Sequence, residues 1–390
     1  MLDLSGKFVA QSGFADKPLH GLVRVSTNVH LPKPVAATTA FLCEGPGVPD
    51  GFGYYLALES KRHLLPWGKP GLATAVLPNS AGFVRDGDII RCSSQTGTYR
   101  VLFRSQARHT TLLLTERCNH YCLMCSQPPR DADDDWIMDE VERLIPMLPI
   151  SVPEIGLTGG EPTLHGERLI RLLEQLKRCL PRTGVHILSN GRRFSDIAFV
   201  QAYASVKHPD LMVGIPVYSD DPVRHNYVVQ ADHAFDETIA GILNLKRLKQ
   251  RVEIRVVLHR QTIDRLPELA EFIGRNLLFV DKVALMGLEI TGFTRGNLER
   301  LWVDPFEYKE TLEQAVSILS AYRVPTAVYN HQLCVVTERV RPFCVKSISD
   351  WKNEYLPTCA LCEARHQCGG FFSSSVKYRH SDHIRVMPSA

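Results

Sequence analysis

No stretch of the sequence approaches the roughly 20 consecutive apolar residues that a membrane-spanning helix requires. The opening residues, MLDLSGKFVAQSG, contain no continuous apolar stretch of signal-peptide length either. The expected compartment is therefore the cytoplasm, with no membrane partner. Charge of one sign is also scarce. A net charge of +3 over 390 residues is too small to argue for a nucleic-acid partner. Internal repeats and low-complexity tails are missing as well. What remains is an ordinary globular composition, 44% hydrophobic and 22% charged, long enough for one large domain and one or two smaller ones.

Cysteine is the residue in unusual supply. There are eleven. An odd number, a reducing compartment and clustering at ligand spacing favour metal or iron–sulfur ligation over a disulfide framework.

The chain divides into three segments by pattern. Residues 1–108 are rich in Gly and Pro, lack a long amphipathic helix, and predict a β-rich subdomain. Within it, runs around Ile89–Ile90 and Tyr99–Phe103 flank the turn residues Gln95–Gly97 and predict a hairpin. Residues 109–322 alternate strand and helix. Strands are expected at 110–116, 154–159, 185–190, 211–218, 252–259 and 280–287. Helices are expected near 137–148, 166–180, 195–204, 233–250, 265–276 and 305–322. Six β-then-α units with nearly continuous apolar strands predict an α/β fold, a partial (β/α)6 barrel open on one side. Residues 323–390 lose the alternation and read as a small Cys-rich, metal-stabilised module.

Cys118, Cys122 and Cys125 follow the first of these strands. In a β/α barrel the loops after the strands carry the chemistry. Three thiolates leave one iron of a four-iron cluster without a protein ligand, which suits a catalytic centre. Zinc is the competing occupant, but no fourth Cys or His stands at an obvious partner spacing, and His120 lies awkwardly between two of the cysteines. Thr158-Gly159-Gly160-Glu161-Pro162 ends the second strand. Its glycines permit close backbone approach or positive φ, and Glu161 offers a carboxylate; a plain strand-to-helix turn is the alternative. Ser189 and Asn190 end the third strand before Gly191. Tyr218, His225, Arg255 and His259 fall on or after later strands, as substrate contacts or satisfied rim residues. Near the end, Cys344, Cys359, Cys362 and Cys368 suit a closed four-ligand site for zinc or an iron–sulfur cluster, with Cys334 and His366 as competing ligands.

The spacing C-x3-C-x2-C after a first strand resembles the signature of the radical S-adenosylmethionine (SAM) superfamily. The resemblance implies a 4Fe-4S cluster whose open iron binds S-adenosylmethionine, reductive cleavage to a 5′-deoxyadenosyl radical, and hydrogen abstraction from substrate. Gly159, Gly160 and Glu161 are similar to that family's GGEP contact to the cofactor's amino group. Ser189 and Asn190 stand where it places polar contacts. Met124 occupies the position of its usual aromatic residue, as a soft packing partner for adenine, and Leu288 is a further adenine-packing candidate.

The terminal C-x2-C-x5-C resembles the auxiliary-cluster extensions called SPASM and twitch. Phe372 stands where the next cysteine is expected, so one auxiliary 4Fe-4S cluster is implied rather than two, with zinc as the alternative. More narrowly, LLLTERCNHYCLMCSQPPRD, LTGGEPTLH and SISDWKNEYLPTCALCEARHQCGGFFSSS look like the His-Xaa-Ser system radical SAM maturase, over about residues 84–390. That resemblance implies a ribosomally made peptide substrate with His-Xaa-Ser repeats, a second radical SAM maturase and an electron donor as partners. Radical chemistry on a nucleoside or cofactor precursor, or a non-catalytic metal-binding scaffold, are the other classes compatible with the residues. The sequence names no general acid or base.

Overall fold

The computed structural model describes residues 4–13, 20–69, 71–107, 109–346 and 353–387. The chain forms two compact units, Met1–Thr110 with Asp139–Pro149, and Thr111–Met138 with Ile150–Ala390.

The first unit is built on one mixed sheet. Its strands are β1 (Ser5–Lys7), β2 (Ala10–Ser12), β3 (His20–Ser26), β4 (Thr39–Leu42), β5 (Tyr54–Leu58), β6 (Ala73–Leu77), β7 (Ile89–Ser93) and β8 (Thr98–Phe103). They lie in the order β1-β8-β7-β3-β4-β5-β6-β2. The central strands are covered on both faces, every residue of the mostly apolar runs TAFL and ATAVL being buried. One face packs Val25, Leu42, Leu56 and Leu77; the other packs Phe41, Tyr55, Ala57 and Val76. The expected hairpin is present as antiparallel β7–β8, with a register shift between Ile89 and Ile90.

The second unit holds eight further strands, β9 (Thr110–Leu113), β10 (Glu154–Thr158), β11 (Gly184–Leu188), β12 (Leu211–Pro216), β13 (Arg251–Leu258), β14 (Lys282–Gly287), β15 (Thr326–Tyr329) and β16 (Cys344–Val345). Their spatial order follows the chain order without a crossover. The pairs from β10–β11 to β15–β16 are parallel. Helices such as Glu167–Cys179, Ala234–Arg247, Leu266–Asn276 and Lys309–Ala321 return the chain between strands. The result is the expected α/β half-barrel, a curled sheet.

Two details differ from the sequence reading. The sheet continues past the six expected strands into β15 and β16, which have four and two residues, too short for a readable period. A helix at Pro222–Val229 also forms where none was expected; Asp221 caps it through the Val223 N–H, and Pro222 starts it.

Candidate metal and cofactor site

β9 ends at Leu113, and the loop that follows carries the three cysteines. Its backbone is held from several directions. Gly160 N–H donates to the Thr115 carbonyl and Glu161 N–H to the Arg117 carbonyl, both at 2.8 Å. Tyr121 and Leu123 N–H donate to the carbonyls of Val229 and Val228, on the unforeseen helix. The Thr294 hydroxyl donates to the Met124 carbonyl at 3.1 Å, and the Asn297 amide to the Leu123 carbonyl at 2.9 Å. A loop so thoroughly satisfied is a rigid mount for ligands.

Gly159 and Gly160 serve this mount. A Cβ on Gly159 would lie 2.5 Å from the Thr115 carbonyl oxygen, and one on Gly160 only 2.1 Å from that of Arg117. Neither has a positive φ. What their missing side chains admit is the cysteine loop itself. Glu161 then ties this turn to the next strand end. Its buried carboxylate accepts from the Thr163 N–H (2.9 Å) and hydroxyl (2.6 Å), the Ser189 hydroxyl (2.8 Å) and the Asn190 N–H (2.6 Å). Burial raises its pKa and these donors pull it back, the net shift being upward. The Asn190 amide in turn donates to the Asn119 side-chain oxygen at 2.6 Å, inside the cysteine loop. Gly191 adopts φ +86°, a left-handed conformation that a side chain would strain. Thus the predicted Gly159, Gly160, Glu161, Ser189 and Asn190 form one hydrogen-bonded frame around Cys118.

Sequence reasoning missed Asn119, Asp134, Thr294 and Asn297. Asp134 is 3% exposed and pairs with Arg117 Nε at 2.9 Å, while the Thr115 hydroxyl donates to it at 2.8 Å. Burial works to raise its pKa, but the Glu116 N–H, the Thr115 hydroxyl and Arg117 outweigh it and hold the carboxyl below its ordinary value. Only Asn119, set between two ligand-spaced cysteines, carried a local signal.

The three thiols are partly buried. Burial pushes Cys118 up to about 11 and raises Cys122 and Cys125, with the neighbouring thiols adding to the effect at Cys118 and Cys122. Ligation here would therefore release protons. Three thiols on one loop are the kind of donor set that would hold an iron–sulfur cluster. Among the described residues, no three His, Cys, Asp or Glu side chains gather as a single ion would require. His120 is buried, its pKa lowered to about 3 by burial, Arg192 and His225. Among the described residues, its Nε2 has no hydrogen-bond partner.

Met124 packs with Leu123, Tyr218 and Val228, and Cys122, Val257 and Leu288 border the same apolar cluster. The two adenine-packing candidates, Met124 and Leu288, are thus brought together. Tyr218, His225 and His259 are buried, and both histidines are held neutral by burial. His225 Nδ1 accepts the Tyr218 N–H at 3.2 Å, and His259 Nδ1 accepts the Gln261 N–H at 3.2 Å.

In the C-terminal segment, Cys359, Cys362 and Cys368 line a small cavity of about 20 Å³ together with Cys334. Cys344 does not line it, and its thiol faces the Val340 carbonyl at 3.6 Å; burial, with the Cys368 thiol adding to it, pushes it up to about 12. His366 is exposed, with its ring nitrogens against the Glu363 carbonyl and the Gln367 amide. Phe372 is buried. The SISDWK part of the resembling stretch, residues 347–352, lies outside the described residues.

Residues 112–273 match the family model described as the Radical SAM superfamily. No curated protein sequence matches the chain. Among solved structures, native anSMEcpe with bound AdoMet is 14% identical, with a TM-score of 0.50 over 71% of this chain and 92% of that one. Streptococcus suis SuiB bound to S-adenosylmethionine is 14% identical, with a TM-score of 0.44, and the match covers 58% of this chain and 48% of SuiB. Native anSMEcpe with bound AdoMet and Cp18Cys peptide is 13% identical, with a TM-score of 0.49 over 71% of this chain and 91% of that one. At 14% identity and a TM-score of 0.50, the likeness to native anSMEcpe with bound AdoMet speaks to the fold alone.

Proposed function

We propose that this chain is a radical S-adenosylmethionine enzyme that modifies a ribosomally made peptide, as one enzyme of a His-Xaa-Ser maturation system. The observation that carries the reading is the cysteine loop, whose three thiols are mounted on the Gly159–Gly160–Glu161 turn. Cys118, Cys122 and Cys125 would hold the cluster. When bound, the cluster and S-adenosylmethionine supply one-electron reductive cleavage and hydrogen-atom abstraction. Glu161, Ser189 and Asn190 hold the loop's neighbours in register, and Met124 and Leu288 offer an apolar wall for the adenine.

Cys359, Cys362 and Cys368 would hold an auxiliary cluster. The shared cavity favours Cys334 over Cys344 as the fourth ligand. A second radical SAM maturase, an electron donor and a cytoplasmic setting belong to the same reading. The peptide class rests on the resemblance of residues 84–390.

The test is anaerobic reconstitution followed by reduction. The protein should release 5′-deoxyadenosine from S-adenosylmethionine, and joint replacement of Cys118, Cys122 and Cys125 by Ala should abolish the release. No release from the wild type would end this reading. Mass spectrometry of a His-Xaa-Ser peptide after turnover tests the substrate class.

A further inference from the structure

The concave face of the half-barrel carries charge where a barrel interior is normally apolar. Glu253 and Arg255 on β13, His186 on β11 and Lys282 on β14 meet there. Arg255 Nη1 donates to Glu253 Oε1 at 2.8 Å, and Lys282 Nζ lies 3.4 Å from Glu253 Oε2. Lys282 also donates to the Tyr329 hydroxyl at 2.7 Å. One nearly buried carboxylate thus faces two cations, and His186 is neutral because burial lowers its pKa to about 4. Glu154, at the start of β10, and the Arg251–Asp210 pair lie at the strand beginnings, toward the far end of the sheet from the cysteine loop.

Two donors in this group are under-satisfied. Among the described residues, Arg255 Nη2 meets only the Met286 thioether, at 3.1 Å, and sulfur of this kind is a weak acceptor. Among the described residues, His186 Nε2 has no hydrogen-bond partner, and it stands 3.7 Å from Glu253 Oε1. Neither side chain is sealed off; they are 25% and 22% exposed. Gly214 makes room for both, since a Cβ there would sit 2.9 Å from Arg255 Cδ and from His186 Nε2. The place is close to the proposed chemistry. Two residues beyond Arg255, Val257 borders the apolar cluster that contains Met124, Tyr218 and Leu288.

We infer that this cluster is a substrate-anchoring subsite that takes a carboxylate, with Arg255 as its principal contact and His186 Nε2–H as a second donor. A carboxylate would replace the thioether as partner of the guanidinium and offset the extra cation. It would hold an acidic group of the substrate below the cofactor pocket. The inference rests on the radical-enzyme reading for its placement, but its test does not.

The probe is N-acetyl-aspartate, with N-acetyl-asparagine as the neutral control, titrated calorimetrically into the full-length protein. The acid should bind and the amide should not. Arg255→Gln should weaken the acid at least about tenfold, the scale of one charge-assisted pair, and Arg255→Lys should restore part of the loss. Equal binding of acid and amide, absence of acid binding, or an unaltered affinity in folded Arg255→Gln would each leave the cluster a structural ion network. S-adenosylmethionine is titrated in parallel. A loss confined to it would assign the guanidinium to the cofactor's carboxylate and overturn the substrate role. Wild-type 5′-deoxyadenosine release is scored separately, so failure of the radical chemistry is distinguishable from failure of this subsite.

Discussion

At the scale of single residues, the site depends on close approach more than on side-chain contact. Gly160 has no room for a methyl group, because a Cβ would sit 2.1 Å from the Arg117 carbonyl oxygen, one residue before Cys118. Gly160→Ala should therefore displace the cysteine loop and cut the iron recovered per chain after anaerobic reconstitution; wild-type iron content would refute this. Asp134 holds the same loop through charge. Its folded pKa is depressed, so its contribution is fully present above the unfolded value of about 4 and is lost as pH falls through the lower folded value. Asp134→Ala should cost about 1–3 kcal/mol at neutral pH, the range for leaving buried partners unsatisfied. In urea melts, the gap between wild type and variant should close as the pH falls below about 4; a gap independent of pH would show that charge plays no part. The cysteines and the Gly–Gly–Glu turn are legible in the sequence because ligand spacing and paired glycines are local patterns. Asp134, Thr294 and Asn297 are not, since they reach the loop from 9 or more residues beyond Cys125, and nothing in their neighbourhood marks the target.

At the scale of elements, periodicity recovers the long members of the barrel and loses the short ones. Helices of 13 or 14 residues such as Glu167–Cys179 and Ala234–Arg247 repeat their apolar face several times. β15 and β16 show four and two residues, and their pairing is decided by the neighbouring strand β14. This matters for the terminal cysteines. By sequence Cys344 precedes Cys359 most directly, yet its place on β16 turns it to the Val340 carbonyl, while Cys334, just after β15, lines the cavity with Cys359, Cys362 and Cys368. Anaerobic metal analysis can separate the two. Cys334→Ala should lose the metal of the C-terminal site, and Cys344→Ala should keep it; the reverse pattern would return the fourth ligand to Cys344.

At the scale of the whole molecule, the chain order and the compact units do not coincide. Composition shifts near residue 109, where the strand–helix alternation begins. Residues Asp139–Pro149 nonetheless belong to the unit formed by Met1–Thr110. They are held there by an ion pair between Arg91 and Glu140 at 3.3 Å and by a hydrogen bond from Arg24 to the Met147 carbonyl. Val141, Leu144 and Ile145 are buried at 5%, 1% and 0% exposure. Burial of such side chains stabilises by about 1.5–3 kcal/mol each. A fragment beginning at residue 109 would keep this segment and remove the rest of its unit, including Arg91 and Arg24, which hold Glu140 and the Met147 carbonyl. It should aggregate or bind a hydrophobic dye in sedimentation and fluorescence measurements, although it retains every proposed ligand cysteine. A monomeric fragment with a cooperative melt and no dye binding would show that the barrel folds without the N-terminal unit. In that case the segment 139–149 would have to be satisfied from within the barrel's own chain.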